Sequence, residues 1–172
     1  DSFGRESAEY LLASNFLPDY LAVSYRALSG ELLALIAARM EAIAPATLRL
    51  HGDCHLGNLL WTDGAPHLVD LDDCRSGPAV QDLWMFLSGD RHEQTPQLAE
   101  LLAGYTEFRD FDAAELNLIE ALRTLRIMHY AAWLARRWDD PAFAIAFPWF
   151  NSQRYWDEHV LALREQIALM DE

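Results

Sequence analysis

The residues best suited to chemistry lie between positions 51 and 58, where the chain reads His-Gly-Asp-Cys-His-Leu-Gly-Asn. Asp53 and Asn58 are five positions apart in a predicted loop that follows a short strand over residues 47–50. Phosphoryl transfer needs a carboxylate that orients or deprotonates the attacking hydroxyl, and an oxygen ligand that holds magnesium against the phosphates. One short loop sets the separation of these two groups. The spacing therefore predicts Asp53 as a base and Asn58 as a magnesium ligand.

A second carboxylate follows a predicted β-hairpin. Two short apolar runs flank a turn that contains Asp63-Gly64, and Asp70 comes directly after the second run. The pattern His-x-Asp-x-x-x-x-Asn followed by such an aspartate is typical of kinases, in which the later aspartate joins magnesium to the transferring phosphate. The chain continues Asp70-Leu71-Asp72 instead of Asp-Phe-Gly, so we expect no flipping switch in this loop.

Helical periodicity dominates the rest of the chain. Apolar residues recur at intervals of three and four, which is the spacing of one helical face. The predicted helices cover residues 7–16, 17–28, 30–43, 80–88, 98–108, 112–133 and 151–169. Asp112 and Glu115 resemble a capping box at the start of the sixth helix, and residues 75–78 form a predicted loop. The predicted fold class is mainly α with a small β-hairpin, an α+β arrangement.

Composition and charge exclude several function classes. The 172 residues suit one domain with a single core, and 52% apolar with 23% charged residues favours a folded chain. A net charge of −14 argues against nucleic acid as a partner, because phosphate backbones bind basic surfaces. No apolar run predicts a membrane-spanning segment or a signal peptide, so we expect no membrane partner. Cys54 and Cys74 are too few for a disulfide framework, which favours the cytoplasm.

Two blocks of the sequence resemble a known superfamily. HGDCHLGNLLW and LVDLDDCRSGPAVQDLWMFLSGD are similar to the aminoglycoside phosphotransferase and choline kinase superfamily, and most similar to its bacterial stress response kinase A group. The similarity continues in AWLARRWDDPAF and FPW, so it spans most of residues 48–156. It implies a protein-kinase-like fold and a serine/threonine protein kinase of the stress response that depends on ATP and Mg²⁺. It further implies a cytoplasmic monomer whose partners are ATP and protein hydroxyl groups.

The resemblance assigns the central roles. It implies that Asp53 is the catalytic base, that Asn58 and Asp70 are magnesium ligands, and that Asp70 also belongs to the active site. These assignments agree with the roles that residue type and spacing predict for the same positions.

The neighbouring polar residues have supporting roles by the same resemblance. His51 is implied to pack under the catalytic loop as a scaffold, and Asp82 to tie the loop down by accepting backbone N–H groups. For His55 two roles are open, contact with a phosphate or a hydrogen bond within the loop. Asp72 and Asp73 either lie near the metal or form an exposed acidic turn.

The sequence lacks the features of the N-terminal lobe of a kinase. Kinases need a small β lobe with a phosphate-covering loop and a lysine that pairs with the phosphates. This chain has no lysine, and no glycine-rich loop precedes residue 48. We therefore expect a C-terminal lobe over residues 1–172, with the N-terminal nucleotide lobe absent and the isolated lobe inactive. Residues 1–47 would be a helical segment after the hinge, 48–90 the catalytic and metal-binding loops, and 91–172 a helical subdomain.

Three other functions are open. His51, Asp53 and His55 alternate along the chain, and on an extended strand they would suit zinc in a metal hydrolase, although the nearby glycines favour a loop. A small-molecule kinase of the aminoglycoside, choline or homoserine type would share the fold and mechanism, and the charge of −14 would attract a cationic acceptor. The third is a non-catalytic acidic interaction module, against which the intact catalytic and magnesium-binding residues speak.

Overall fold

The computed structural model describes residues 2–171 and shows a mainly helical chain with two small antiparallel sheets. The predicted fold class is therefore confirmed. The helices are α1 (Ser2–Ala13), α2 (Asp19–Ile43), α3 (Val80–Leu83), α4 (Arg91–Thr106), α5 (Ile119–Arg136), α6 (Pro141–Ala146) and α7 (Gln153–Asp171). The strands are β1 (Leu48–Leu50), β2 (Leu59–Thr62), β3 (Ala65–Leu68) and β4 (Arg75–Gly77). Short 3₁₀ turns cover Leu56–Asn58, Leu71–Asp73, Trp84–Phe86 and Ala113–Leu118.

The chain divides into two compact units. The first is built from the chain up to Ala42 and from Glu120 onward, and the second runs from Ile43 to Ile119. All of the residues of the proposed catalytic chemistry lie in the second unit. The assignment of residues 1–172 to one lobe, with internal boundaries at residues 47 and 90, stays a prediction.

The first unit contains the hydrophobic core. Leu11 of α1, Tyr25 and Leu32 of α2, Met128 of α5 and Trp156 of α7 are each at most 1% exposed and belong to one cluster. Full burial of a large apolar side chain stabilises a fold by about 1.5–3 kcal/mol. The apolar stripes that predict the helices are therefore the faces that pack together.

Helix α2 is continuous, whereas the sequence predicts two helices over residues 17–28 and 30–43. The break expected near Gly30 is wrong, because a glycine in an exposed helix position costs only about 1 kcal/mol relative to alanine. The burial of Tyr25, Leu28, Leu32 and Ile36 outweighs that cost. Among residues 2–171, α2 alone is long and apolar enough to cross a membrane, a composition that the core helix of a globular protein shares.

Two antiparallel strand pairs organise the second unit. β2 and β3 form the predicted hairpin, with Leu59 opposite Leu68. β1 pairs with β4, with Leu50 opposite Arg75, so the loop predicted at residues 75–78 is wrong for residues 75–77. The strand partner of β4 is distant in sequence, and no local pattern indicates it. One loop connects β1 to β2, and a second loop connects β3 to β4. Each loop therefore begins in one strand pair and ends in the other.

The helix boundaries differ from the prediction in several places. α1 runs from Ser2 to Ala13 rather than over residues 7–16. α3 ends at Leu83 and continues as a 3₁₀ turn. α4 begins at Arg91 rather than at residue 98, because Asp90 and Glu93 form a capping box. The helix predicted from residue 112 starts as a 3₁₀ turn and becomes α-helical at Ile119. α6 is an additional short helix that the periodicity does not predict.

His159 of α7 is a buried ionisable group in the core of the first unit. Its ring is stacked on Tyr25 and Tyr155 and meets Trp156 edge to face. The residue as a whole is 6% exposed. Burial among these rings lowers the pKa of His159 from 6.5 to about 4, because the charged imidazolium is poorly solvated there. The folded protein therefore holds this ring neutral.

We predict that His159 makes the protein less stable in mild acid. In the unfolded chain the ring binds a proton near pH 6.5, while the folded chain resists protonation until about pH 4. The stabilising contribution is complete above pH 6.5 and is lost as the pH falls from 6.5 towards 4, with a total effect on the order of 3 kcal/mol. Urea unfolding across this range should show a shallower loss for His159→Phe than for the unmodified chain. A His92→Gln control on exposed α4 should keep the original profile, and equal profiles for all three proteins would contradict the assignment.

Candidate active site

The loop between β1 and β2 is anchored at its start by Asp82 of α3. The Asp82 carboxylate accepts the backbone N–H of His51 at 2.7 Å and that of Gly52 at 2.9 Å. Hydrogen bonds to an ionised carboxylate are stronger than neutral ones, so these two bonds fix the entry of the loop. Gly52 has a φ of +89°, and a side chain there would collide with the carbonyl oxygen of Asp73. Glycine is therefore required at this close approach between the two loops.

His51 connects the same loop to the end of β3. Nε2 of its buried ring lies 2.8 Å from the carbonyl oxygen of Val69, and Nδ1 accepts the N–H of Asp53 at 3.4 Å. Because a carbonyl oxygen can only accept, Nε2 carries the proton and donates it. Both ring nitrogens are thus engaged by backbone groups, and the ring supports the loop.

The carboxylate of Asp53 meets the ring of His55. Nε2 of His55 lies 3.3 Å from Oδ2 of Asp53, and Nδ1 accepts the N–H of Gly57 at 3.0 Å. Two backbone hydrogen bonds hold the loop next to this pair. The N–H of His55 donates to the Asp53 carbonyl at 3.0 Å, and the N–H of Asn58 donates to the His55 carbonyl at 2.9 Å. The Asp53 side chain is 21% exposed. This carboxylate is therefore partly accessible from solvent.

Asn58 and Asp70 lie at the open end of the β2–β3 hairpin. Val69, the residue before Asp70, donates its N–H to the carbonyl of Asn58 at 3.0 Å, which extends the strand register by one pair. Asp70 then adopts a left-handed backbone with a φ of 61°, which ends the strand and begins a 3₁₀ turn. The hairpin therefore brings together two residues that are twelve positions apart in sequence.

The donor set at the hairpin end suits magnesium. The Asn58 side chain donates from Nδ2 to the Asp53 carbonyl at 3.0 Å. This hydrogen bond uses the amide nitrogen and not the amide oxygen, which is the atom that a hard cation prefers. Asp70 adds an exposed carboxylate. Magnesium is usually held by one or two protein oxygens together with substrate phosphates and water. One amide and one carboxylate therefore fit this cation in a nucleotide complex.

The other polar residues of these loops have different surroundings. Arg75 donates from Nε to the Asp73 carbonyl and from Nη2 to the Asp73 carboxylate, each at 3.0 Å. These bonds connect the end of the second loop to the first residue of β4. Asp72 is exposed. Burial, reinforced by the negative charges of Asp82 and Asp53, raises the pKa of the Cys54 thiol to about 11. Cys54 is therefore a protonated thiol at neutral pH and a poor nucleophile.

The structure does not bring His51, Asp53 and His55 together as metal ligands. The Nε2 atom of His51 faces the Val69 carbonyl, while that of His55 lies 3.3 Å from the Asp53 carboxylate. Over residues 2–171, no group of three or more His, Cys, Asp or Glu side chains could hold a metal ion. The geometry therefore does not support the zinc hydrolase alternative, and the two-oxygen set at Asn58 and Asp70 is of another kind.

Glu115 is a supporting residue that sequence reasoning misses. The spacing predicts that Glu115 completes a capping box with Asp112, and the Asp112 side chain does accept the N–H of Ala114 at 2.9 Å. The Glu115 carboxylate, only 3% exposed, instead accepts the N–H of Val80 at 3.0 Å. Val80 is the first residue of α3, the helix that carries Asp82. No local signal indicates a partner 35 residues away.

We predict that Glu115 stabilises the catalytic loop through α3. In Glu115→Ala the buried N–H of Val80 loses its acceptor, which should lower the free energy of unfolding by about 1–3 kcal/mol. Glu115→Gln keeps an acceptor oxygen and should lose less. Hydrogen exchange at the His51 and Gly52 amides should accelerate in the alanine variant. Glu93→Ala, which removes an exposed glutamate of the α4 capping box, should leave those two amides unchanged, and equal acceleration in both variants would contradict the link.

Comparison with known proteins identifies relatives of this chain. Residues 2–118, which include both loops, the hairpin and Asp82, match the sequence model of the phosphotransferase enzyme family. Stress response kinase A of Escherichia coli strain K12 is 47% identical over 159 residues, which are 92% of this chain and 48% of that protein.

Two Salmonella proteins are also similar. Stress response kinase A of Salmonella choleraesuis and the serine/threonine protein kinase RdoA of Salmonella typhimurium are each 54% identical over 127 residues, or 74% of this chain and 38% of each relative. The chain spans about half the length of the curated relatives it matches. These matches confirm the resemblance inferred from the two sequence blocks. Because the family match covers more than half of the chain and the whole of the candidate site, this chain belongs to the phosphotransferase enzyme family.

Proposed function

We propose that this chain is part of a longer protein, called the whole protein below, that transfers the γ-phosphoryl group of ATP to serine or threonine hydroxyls of proteins. The observation that carries the proposal is the position of Asp53 next to Asn58, with Asp70 at the same hairpin end. The family match supports a kinase in general terms. The name of one relative, a serine/threonine protein kinase, supports the class of acceptor.

The reaction follows from the chemistry of these side chains. The acceptor hydroxyl oxygen forms a bond to the γ-phosphorus while the bond to the bridging oxygen of ADP breaks, and the hydroxyl proton passes to the Asp53 carboxylate. When bound, magnesium neutralises charge on the phosphates as they separate. Asn58 and Asp70 would hold it with one amide and one carboxylate oxygen. The hydrogen bonds that the loop N–H groups donate to the Asp82 carboxylate keep Asp53 in place during the transfer.

The rest of the nucleotide site is proposed to lie outside this chain. A kinase uses a lysine against the phosphates, and this chain has none. We therefore propose that residues 1–172 alone do not turn over ATP. We also propose that the whole protein acts in a stress response, in line with the names of its relatives. Its location in the cytoplasm and its monomeric state are further parts of the proposal.

A small cationic molecule is the second candidate acceptor. The formal charge of −14 would attract such a substrate, and the chemistry at Asp53 would be the same. A panel of basic proteins and a panel of aminoglycosides, choline and homoserine, assayed with radiolabelled ATP, separates the two. Incorporation into small molecules alone would overturn the protein-kinase proposal, and incorporation into neither would favour a non-catalytic interaction module.

We predict that Asp53→Asn in the whole protein lowers kcat about 100-fold or more and changes the affinity for ATP only a few-fold. The reason is that the carboxylate acts on the hydroxyl and not on the nucleotide. Steady-state phosphorylation and nucleotide-binding measurements check both parts. Asp63→Asn is the matched control, because Asp63 is an exposed aspartate in the turn at the far end of the same hairpin. Lost ATP affinity with normal turnover would contradict the base assignment.

We predict that Asp70→Asn raises the magnesium concentration needed for nucleotide binding by about tenfold or more, and that Asn58→Ala raises it less. The negative charge of a carboxylate attracts a hard cation strongly, whereas the neutral amide of asparagine contributes only an oxygen ligand. Asparagine is the substitution of choice at position 70 because it tolerates the left-handed backbone there. Magnesium titrations of nucleotide binding give the order. A larger effect in the Asp72→Asn control would contradict the assignment of Asp70 and would indicate Asp72 as the metal ligand.

A further inference from the structure

The ring of His55 lies between the backbone of the catalytic loop and the Asp53 carboxylate, and its hydrogen bond with Gly57 determines where its proton is. Nδ1 lies 3.0 Å from the backbone nitrogen of Gly57. A backbone N–H can only donate, so Nδ1 must be the unprotonated nitrogen of a neutral ring. The proton is then on Nε2, which lies 3.3 Å from Oδ2 of Asp53. The protonated nitrogen of the ring therefore faces the carboxylate at close range.

The loop is shaped to hold the ring in this orientation. A side chain at Gly57 would come within 2.7 Å of Cε1 and 2.9 Å of Nδ1 of the His55 ring, so any larger residue would displace the ring. His55 also caps the 3₁₀ turn that carries Asn58, and its carbonyl accepts the N–H of Asn58 at 2.9 Å. One residue thus connects the proposed base to the turn of the proposed magnesium ligand.

We propose that His55 is a positioning residue that holds Asp53 through the 3.3 Å contact of its protonated Nε2 with Oδ2. Fixing one carboxylate oxygen sets the plane in which the carboxylate meets the acceptor hydroxyl. In this role His55 acts on kcat through Asp53 and does not contact the phosphates. The inference deepens the proposed kinase function and rests on it for its kinetic part, whereas the protonation state of the ring is independent of any activity.

Two variants separate the functions of the two ring nitrogens. His55→Asn places an amide oxygen near the position of Nδ1, which keeps the acceptor for Gly57 and removes the donor to Asp53. His55→Gln extends an amide nitrogen to the position of Nε2, which restores the donor. In the whole protein we expect His55→Asn to lower kcat about tenfold or more, with KM for ATP within about threefold. His55→Gln should keep kcat within about threefold of the unmodified protein.

The kinetic outcomes decide between positioning and phosphate contact. A rise in KM for ATP in both variants would show that His55 binds the phosphates and would overturn the proposal. Equal losses of kcat in both variants, or no loss in His55→Asn, would also overturn it. The exposed His67 on β3 provides a matched control, since His67→Asn should leave both constants unchanged.

A ring-nitrogen NMR spectrum tests the geometry without activity. Long-range ¹H–¹⁵N correlations of the neutral imidazoles, recorded at about pH 8 on the whole protein, distinguish the two tautomers. The signals that vanish in His55→Asn identify this ring, and we expect them to report a proton on Nε2. A proton on Nδ1 would overturn the proposal. If no phosphoryl transfer is found but the Nε2–H form is present, the kinase function fails while the contact of His55 with Asp53 stands.

Discussion

The pairing of four short strands is the constraint on which the candidate site depends. β1 leads into the catalytic loop and β2 leaves it, while β3 leads into the second loop and β4 leaves it. Because β1 pairs with β4 and β2 with β3, both ends of one loop are held against both ends of the other. Gly52 lies so close to Asp73 that a side chain does not fit between the loops. The proposed base and both proposed magnesium ligands are placed by backbone pairing, which does not depend on the flexibility of long side chains.

Buried polar contacts then fix the loop between these strands. Glu115 holds the start of α3, Asp82 on α3 holds the backbone at His51 and Gly52, and the His51 ring reaches the carbonyl before Asp70. Each contact satisfies a backbone group that would be costly to leave unpaired in a poorly solvated place. A fully satisfied network of this kind is rigid. Rigid placement is what phosphoryl transfer requires, since most of its catalysis comes from positioning and charge stabilisation.

The sequence predicts those parts of the site that are local. The hairpin follows from two apolar runs around Asp63-Gly64, and the spacing from Asp53 to Asn58 is contained in one loop. The pairing of β4 with β1, and the hydrogen bond that Val80 N–H donates to Glu115, join segments that are distant in sequence. No periodicity or turn signal therefore reveals them. The continuous helix through Gly30 shows the same limit, because tertiary packing outweighs a local breaker. The tautomer of His55 likewise becomes evident only when both of its partners are located.

The central claim is that the hairpin end at Asn58 and Asp70 holds the divalent cation of a phosphotransferase. Replacing magnesium with paramagnetic Mn²⁺, in the whole protein saturated with a non-hydrolysable ATP analogue, tests it most directly, because Mn²⁺ takes the same oxygen ligands and broadens nearby amide signals. The account predicts that the amides of Asn58 and Asp70 broaden first as Mn²⁺ is added, with Asp53 close behind. Broadening centred on another acidic segment, such as Asp139 and Asp140, with no effect at the hairpin end, would contradict it.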